Sequence, residues 1–155
     1  GETDDLIVEE MRAHGGLITH KDLANYKALR RAPIMGTYRG FDIISMPPPS
    51  SGGVALVQML NMLENYDLQS LGAGSAETLH LLAEVMKRAA ANRRTYVGDP
   101  DFVDIAINGY LSKELAKQMM QSIERDKASR CVSNSRCRTS LRLSATSACC
   151  FSCRH

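Results

Sequence analysis

The sequence predicts a mixed α/β chain, and three observations carry that prediction. Apolar residues return every three or four positions in several stretches separated by glycine, serine and proline, the spacing of helices that bury one face. Two strand-like runs, Ala32–Arg39 and Phe41–Met46, flank Arg39-Gly40, a pair suited to a tight hairpin turn. Three consecutive prolines, Pro47, Pro48 and Pro49, follow the second run. They must end it, because proline donates no ladder hydrogen bond and fixes φ.

Each element follows from its own residues. Leu6, Ile7 and Met11 repeat at helical spacing, and His14-Gly15-Gly16 closes that helix with glycine where a left-handed C-cap needs it. Thr19 caps a short helix over His20–Tyr26, with Asp22 in the capping-box position and its charge suited to a helix N-terminus. After the hairpin and the prolines, Ser50-Ser51-Gly52-Gly53 opens a helix whose expected apolar face is Val54, Leu56, Val57, Leu60 and Leu63. A long helix is expected over Ala76–Tyr96, capped by Ser75, with Leu79, Leu82, Ala83, Val85, Met86 and Ala90 as its buried stripe. Lys87, Arg88, Arg93 and Arg94 collect towards its C-terminus, where the helix dipole favours cations. Gly98-Asp99-Pro100-Asp101 reads as a turn, and a last helix runs from Lys113 to about Ile123 after Ser112.

At 155 residues, 23% charged and 44% hydrophobic, the chain suits one domain or a piece of a larger one. It is neither collagen-like nor, in its body, disordered by composition. No apolar run approaches the roughly 20 residues of a bilayer-spanning helix, and the N-terminus shows no signal-peptide pattern. The formal net charge of +2 hides a division. All 17 acidic residues lie at or before Asp126, where they meet 13 Lys/Arg for a net charge of −4, whereas residues 127–155 hold six Lys/Arg and no acid. The five cysteines also lie in that last stretch. The expected organisation is therefore a body over 1–126 and an atypical Arg/Ser/Cys-rich tail over 127–155.

Several chemical motifs fail on spacing. Gly72-Ala73-Gly74 lacks the third glycine of a dinucleotide loop, since position 77 is Glu77. No Gly-x-Ser-x-Gly elbow exists. Asp99, Asp101 and Asp104 do not form a calcium hand, which needs glycine at loop position six and glutamate at twelve, here Asp104 and Tyr110. His80 and Glu84 share a helix face, but two ligands do not make a zinc site. The string Pro47 to Gly53 is the most unusual. One reading sets backbone amides at a helix N-terminus against an anion; the other ends a strand, lets two backbones approach closely and caps a helix.

The residues of the body carry a resemblance. Gly15-Gly16-Leu17-Ile18-Thr19, then Asp22-Leu23-Ala24-Asn25-Tyr26, then Gly36-Thr37-Tyr38-Arg39-Gly40 resemble the γ-glutamyltransferase (glutathione hydrolase) family. Ser45-Met46 followed by Pro47, Pro48, Pro49, Ser50, Ser51, Gly52 and Gly53 is similar to a signature of that family's large subunit. Leu81-Leu82-Ala83-Glu84 and Gly98-Asp99-Pro100-Asp101-Phe102-Val103 continue the match in order, so that the resemblance covers about residues 5–126. Acylases that cleave cephalosporin side chains share much of the pattern.

The resemblance implies part of an αββα sandwich of the N-terminal-nucleophile hydrolase kind. It implies a precursor that cleaves itself into a large and a small subunit, the small one beginning with a nucleophilic Thr. That hydroxyl attacks the γ-glutamyl amide of glutathione or a related compound, with its own amine as base, and backbone N–H groups hold the oxyanion. The γ-glutamyl group then passes to water, an amino acid or a peptide. The resemblance implies no metal or organic cofactor, no nucleic-acid partner, and a periplasmic or extracellular location. The Thr-Thr-His-type string that introduces the nucleophile does not occur: Thr139 precedes Ser140, and Thr146 precedes Ser147. No catalytic or substrate-binding residue is therefore transferred, and Pro47 to Gly53 maps as a family signature rather than as chemistry.

In the tail, Cys131, Cys137, Cys149, Cys150, Cys153 and His155 are badly spaced for zinc, and five cysteines leave one without a disulfide partner. Arginines with Phe151 as the only aromatic make a poor nucleic-acid surface. The coincident switch in charge, cysteine content and resemblance is what GC-rich coding DNA produces when read out of frame. Three functions follow for the chain: an enzyme fragment inactive alone, a non-catalytic remnant or interaction module of the same ancestry, or a Cys/His metal binder. Half a sandwich would also leave strand edges and a sheet face uncovered, which predicts poor solubility in isolation.

Overall fold

The computed structural model describes residues 1–129. The expectations for the cysteines, His155, Thr139 and Thr146 fall outside these residues. The chain forms two compact units, Gly1–Ala32 and a second from Pro33 onward.

In the first unit, α1 (Glu2–Ala13) and α2 (His20–Asn25) carry the expected end signals. Gly15 stands at φ 73° just past α1, the left-handed conformation that glycine adopts without a Cβ clash. Thr19 and Asp22 form the full capping box of α2: the Thr19 hydroxyl accepts from the Asp22 amide, and the Asp22 carboxylate accepts from the Thr19 amide at 2.9 Å. His20 Nε2 donates to Asp5 Oδ1 at 2.8 Å, tying α2 to α1.

The second unit begins with the hairpin. Strands β1 (Ile34–Tyr38) and β2 (Phe41–Ser45) pair antiparallel, with Tyr38 opposite Phe41 and Ile34 opposite Ser45. Both strands are shorter than the sequence pattern suggested. Arg39 and Gly40 lie at φ 49° and 86°, the two left-handed positions of a two-residue turn that follows the natural strand twist. Arg39 is not a residue that favours this region, and the helices behind it hold it there. Its amide donates to Glu64 Oε1 at 2.8 Å, its guanidinium to the Tyr66 carbonyl at 2.7 Å, and Glu64 in turn accepts from Lys113 Nζ at 2.6 Å.

Five helices follow: α3 (Gly52–Leu63), α4 (Leu68–Leu71), α5 (Ala76–Tyr96), α6 (Ile107–Tyr110) and α7 (Lys113–Met120). Ser75 and Ser112 cap α5 and α7 through their hydroxyls, accepting from the Thr78 and Leu115 amides. The final helix stops at Met120, short of Ile123, and the chain continues through turns. Helix α3 is the hub, touching the hairpin on one side and α5 and α7 on the other. Met62, Leu63, Leu81, Val85, Ala89 and Met119 form the larger core cluster, and Ile34, Val54 and Val57 a smaller one under the hairpin.

Two expected helix faces are corrected. On α3, Val54, Val57 and Leu63 are buried as expected, but Leu56 is exposed, and Gln58, Asn61 and Met62 share the buried face. On α5, Leu79 and Met86 are each 58% exposed, and the buried line is Leu81, Glu84, Val85 and Ala89. Gln58 and Asn61 on α3 and Glu84 on α5 stand on the buried faces, so counting apolar residues alone placed each stripe only in part.

Candidate functional site

The string Pro47 to Gly53 does what close packing requires of it. Strand β2 ends at Ser45, Pro48 is fully buried, and the Pro48–Pro49 bond is cis. Ser51 stands at the α3 N-cap without a side-chain cap bond, while the Ser50 hydroxyl accepts from the Gly52 amide at 3.4 Å. Gly53 lies against the strand end: a Cβ there would sit 2.2 Å from the Met46 carbonyl oxygen and 3.1 Å from Ser45 Cβ. A Cβ on Gly36 would meet Val57 Cγ1 at 2.5 Å. Glycine at both positions thus lets the hairpin lie directly on α3.

The second assembly of polar groups was not anticipated as a unit. Glu84 on α5 is 1% exposed. Its carboxylate accepts from Lys87 Nζ and Arg88 Nη1, each at 2.7 Å, and from the amide and hydroxyl of Ser129. Burial alone would raise the carboxyl pKa, but the hydrogen bonds from Lys87, Ser129 and Arg88 outweigh it and hold the group down at about 2. An ion pair this buried depends on having every partner in place. Arg88 also donates to the Met119 and Ser122 carbonyls and to the Ser122 hydroxyl, and Lys87 to the Ser129 carbonyl. His80 Nε2 donates to the Glu124 carbonyl at 2.8 Å. His80 and Glu84, adjacent on the helix face, therefore serve separate partners. Glu84 followed by Lys87 and Arg88 at three and four residues was the available signal for an ion-paired helix face.

A third polar feature lies between α3 and the C-terminal end of α6. Gln58 Nε2 donates to the Tyr110 carbonyl at 3.2 Å, and Asn61 Nδ2 to the Leu111 carbonyl at 2.8 Å. Among the described residues, Asn61 Oδ1 is the buried side-chain atom without a partner. The Asp99 carboxylate accepts from the Asp101 amide at 3.1 Å, the side-chain turn expected of Asp99-Pro100-Asp101.

Among the described residues no group of three metal-ligating side chains converges, and no helix is long and apolar enough to cross a membrane. The hollow between α3, α5 and Tyr110 has no room for a water molecule.

Comparison with known proteins gives these features a setting. The structure resembles γ-glutamyltranspeptidase of Helicobacter pylori with a TM-score of 0.76 and 44% identity, over 84% of this chain and 38% of that one. It resembles cephalosporin acylase of Bacillus halodurans with a TM-score of 0.69 and 29% identity, over 80% of this chain and 23% of the other. The fold is thus α+β, of the N-terminal-nucleophile hydrolase class. In sequence, the chain is 48% identical over 128 residues to the glutathione hydrolase proenzyme of Escherichia coli (strain K12). It is 46% identical over 128 residues to the acylase ACY 1 proenzyme of Pseudomonas sp. (strain SE83). Each match takes in 83% of this chain, but the chain spans only 22% and 23% of those relatives. The family model described as gamma-glutamyltranspeptidase matches residues 1–150, and the chain belongs to that family.

Proposed function

We propose that the chain is a segment of the large subunit of a γ-glutamyltransferase whose intact form cleaves the γ-glutamyl bond of glutathione and related compounds. The observation that carries this is the 48% identity, sustained over 128 residues, to a glutathione hydrolase proenzyme. In the intact enzyme a self-cleaved precursor supplies a small subunit, and its N-terminal Thr attacks the γ-glutamyl carbonyl. The free amine of that residue takes the proton from its hydroxyl and passes it to the departing peptide nitrogen as the C–N bond breaks, and water, an amino acid or a peptide then resolves the ester. A location outside the cytoplasm goes with this reading.

Within it, the segment supplies framework rather than chemistry. The string Pro47 to Gly53 seats the hairpin on α3, and the close approach at Gly53 supports a structural role for it. The 155 residues hold no Thr-Thr-His string, so the polypeptide alone is inactive. A chromogenic γ-glutamyl anilide tests this: no turnover above a heat-denatured control is expected, and clear turnover refutes it.

The tail belongs to the same proposal. The family model runs on to residue 150, and Ser129 is held by Glu84. Both favour a body that reaches past residue 126, to Ser129. The change in composition beyond it supports an out-of-frame reading, which the coding DNA tests. Without another frame that continues towards a Thr-Thr-His segment, the idea fails.

The acylase reading is favoured by one observation, the 46% identity to an acylase proenzyme over the same length. Assaying an intact enzyme built on this segment with a glutaryl-cephalosporin beside a γ-glutamyl anilide separates the two.

A further inference from the structure

Residues 121–129 carry no helix or strand of their own. Ordinary packing offers such a segment little, since its backbone groups lack the partners that regular structure provides. Here the Ser122 and Ile123 amides reach back to the Met119 and Met120 carbonyls, and further partners come from one face of α5. His80, Glu84, Lys87 and Arg88 lie at intervals of four, three and one, which sets them in a row along a helix. All four reach the main chain of the segment or of the end of α7. His80 takes the Glu124 carbonyl, Arg88 the Met119 and Ser122 carbonyls, Lys87 the Ser129 carbonyl, and Glu84 the Ser129 amide. One side chain of the segment enters the innermost position: the Ser129 hydroxyl donates to Glu84, the most buried charge of the row.

We propose that this face of α5 is a clamp that fixes the path of the chain after α7, with the Ser129 hydroxyl as the group it recognises and Glu84 as the positioning residue. Arg88 also meets the Ser122 hydroxyl, but it holds the Ser122 and Met119 carbonyls as well; recognition through main-chain carbonyls tolerates most side chains, whereas the contact at 129 requires a small hydroxyl. Serine or threonine satisfies it, and alanine leaves one acceptor of a buried carboxylate without its donor. The clamp closes over a segment that contributes few residues to either core cluster, so it can open while α3, α5 and α7 stay packed.

The inference is independent of any γ-glutamyl chemistry, so its failure leaves the proposed function standing, and failure of that function leaves the clamp standing. Amide hydrogen exchange on the full 155-residue chain tests it, comparing Ser129→Ala, Ser129→Thr and Glu84→Gln. Ser129→Ala is expected to raise exchange over residues 122–129 by about tenfold, the effect of losing one charge-assisted hydrogen bond in a locally opening segment. Ser129→Thr is expected to keep the parent rate, and amides of α3 to stay unchanged in both. Glu84→Gln is expected to loosen the same segment at least as far. Because that variant risks the whole fold, the two Ser129 variants carry the decision. Unchanged exchange in Ser129→Ala overturns the proposal. So does equal loosening in Ser129→Thr, or acceleration in α3 that matches the segment, which would make the contact ordinary core packing.

Discussion

Two adjacent glycines in one motif should respond to alanine in opposite directions. At Gly53 a new Cβ would stand 2.2 Å from the Met46 carbonyl oxygen, inside any tolerable contact and against main chain rather than a side chain that can turn away. Relief requires α3 and the end of β2 to separate. Forcing a methyl group into a packed site costs about 1–3 kcal/mol, and the better helix propensity of alanine returns up to about 1 kcal/mol. At Gly52 the nearest atom to a new Cβ is the Ser50 hydroxyl at 3.6 Å, so only the propensity gain, about 0.5–1 kcal/mol, applies. The two variants should therefore differ by about 2 kcal/mol. With a urea dependence of about 1–2 kcal/mol per molar for a chain of this size, their unfolding midpoints separate by about 1–2 M. Pulse proteolysis in urea at sub-micromolar concentration reads this while limiting self-association of exposed apolar faces. Coincident midpoints, or Gly53→Ala above Gly52→Ala, would refute the claim that Gly53 is there for close approach.

Acid should loosen the chain through Glu84. Its pKa falls from 4.5 to about 2 on folding, so its contribution is complete above pH 4.5 and disappears as the pH falls from there towards 2. The whole effect is about 3 kcal/mol. Urea midpoints measured across this range should fall for the parent and fall less for Glu84→Gln; parallel slopes would sink the assignment. On the outer face of the hairpin, Met35 and Ile44 are cross-strand partners and both exposed. Met35→Lys with Ile44→Glu should raise the soluble fraction after centrifugation and shift stability by no more than about 0.5 kcal/mol. An unchanged soluble fraction would show that another surface drives association.

Local signals were the most legible part of the fold. The capping box at Thr19 and Asp22, the cap at Ser75, the Arg39-Gly40 turn and the proline stop each depend on residues a few positions apart, and all appear in the structure. The buried faces of α3 and α5 were less legible. Gln58 and Asn61 donate to carbonyls 52 and 50 residues away, and Glu84 takes Ser129, 45 residues away, besides its neighbours Lys87 and Arg88; no local pattern encodes the distant partners. The short helices α4 and α6 gave too few turns for a period to show. For the candidate site, the string Pro47 to Gly53 was visible through its composition. The α5 row was visible only as scattered charges, because its meaning lies in the backbone it faces.

The buried amides of α3 bear on a different question, that of which alignment the helices choose. Apolar faces such as those of α3 and of the α6–α7 segment attract one another with little preference for position along their axes. A slide of one turn, about 5.4 Å, would exchange one set of apolar contacts for another at small cost. It would also move the Tyr110 and Leu111 carbonyls away from Gln58 and Asn61, stranding two amides in a dry interior at about 1–3 kcal/mol each. These two side chains therefore act as registration marks, favouring one alignment of neighbours that hydrophobic attraction alone would leave free to slip.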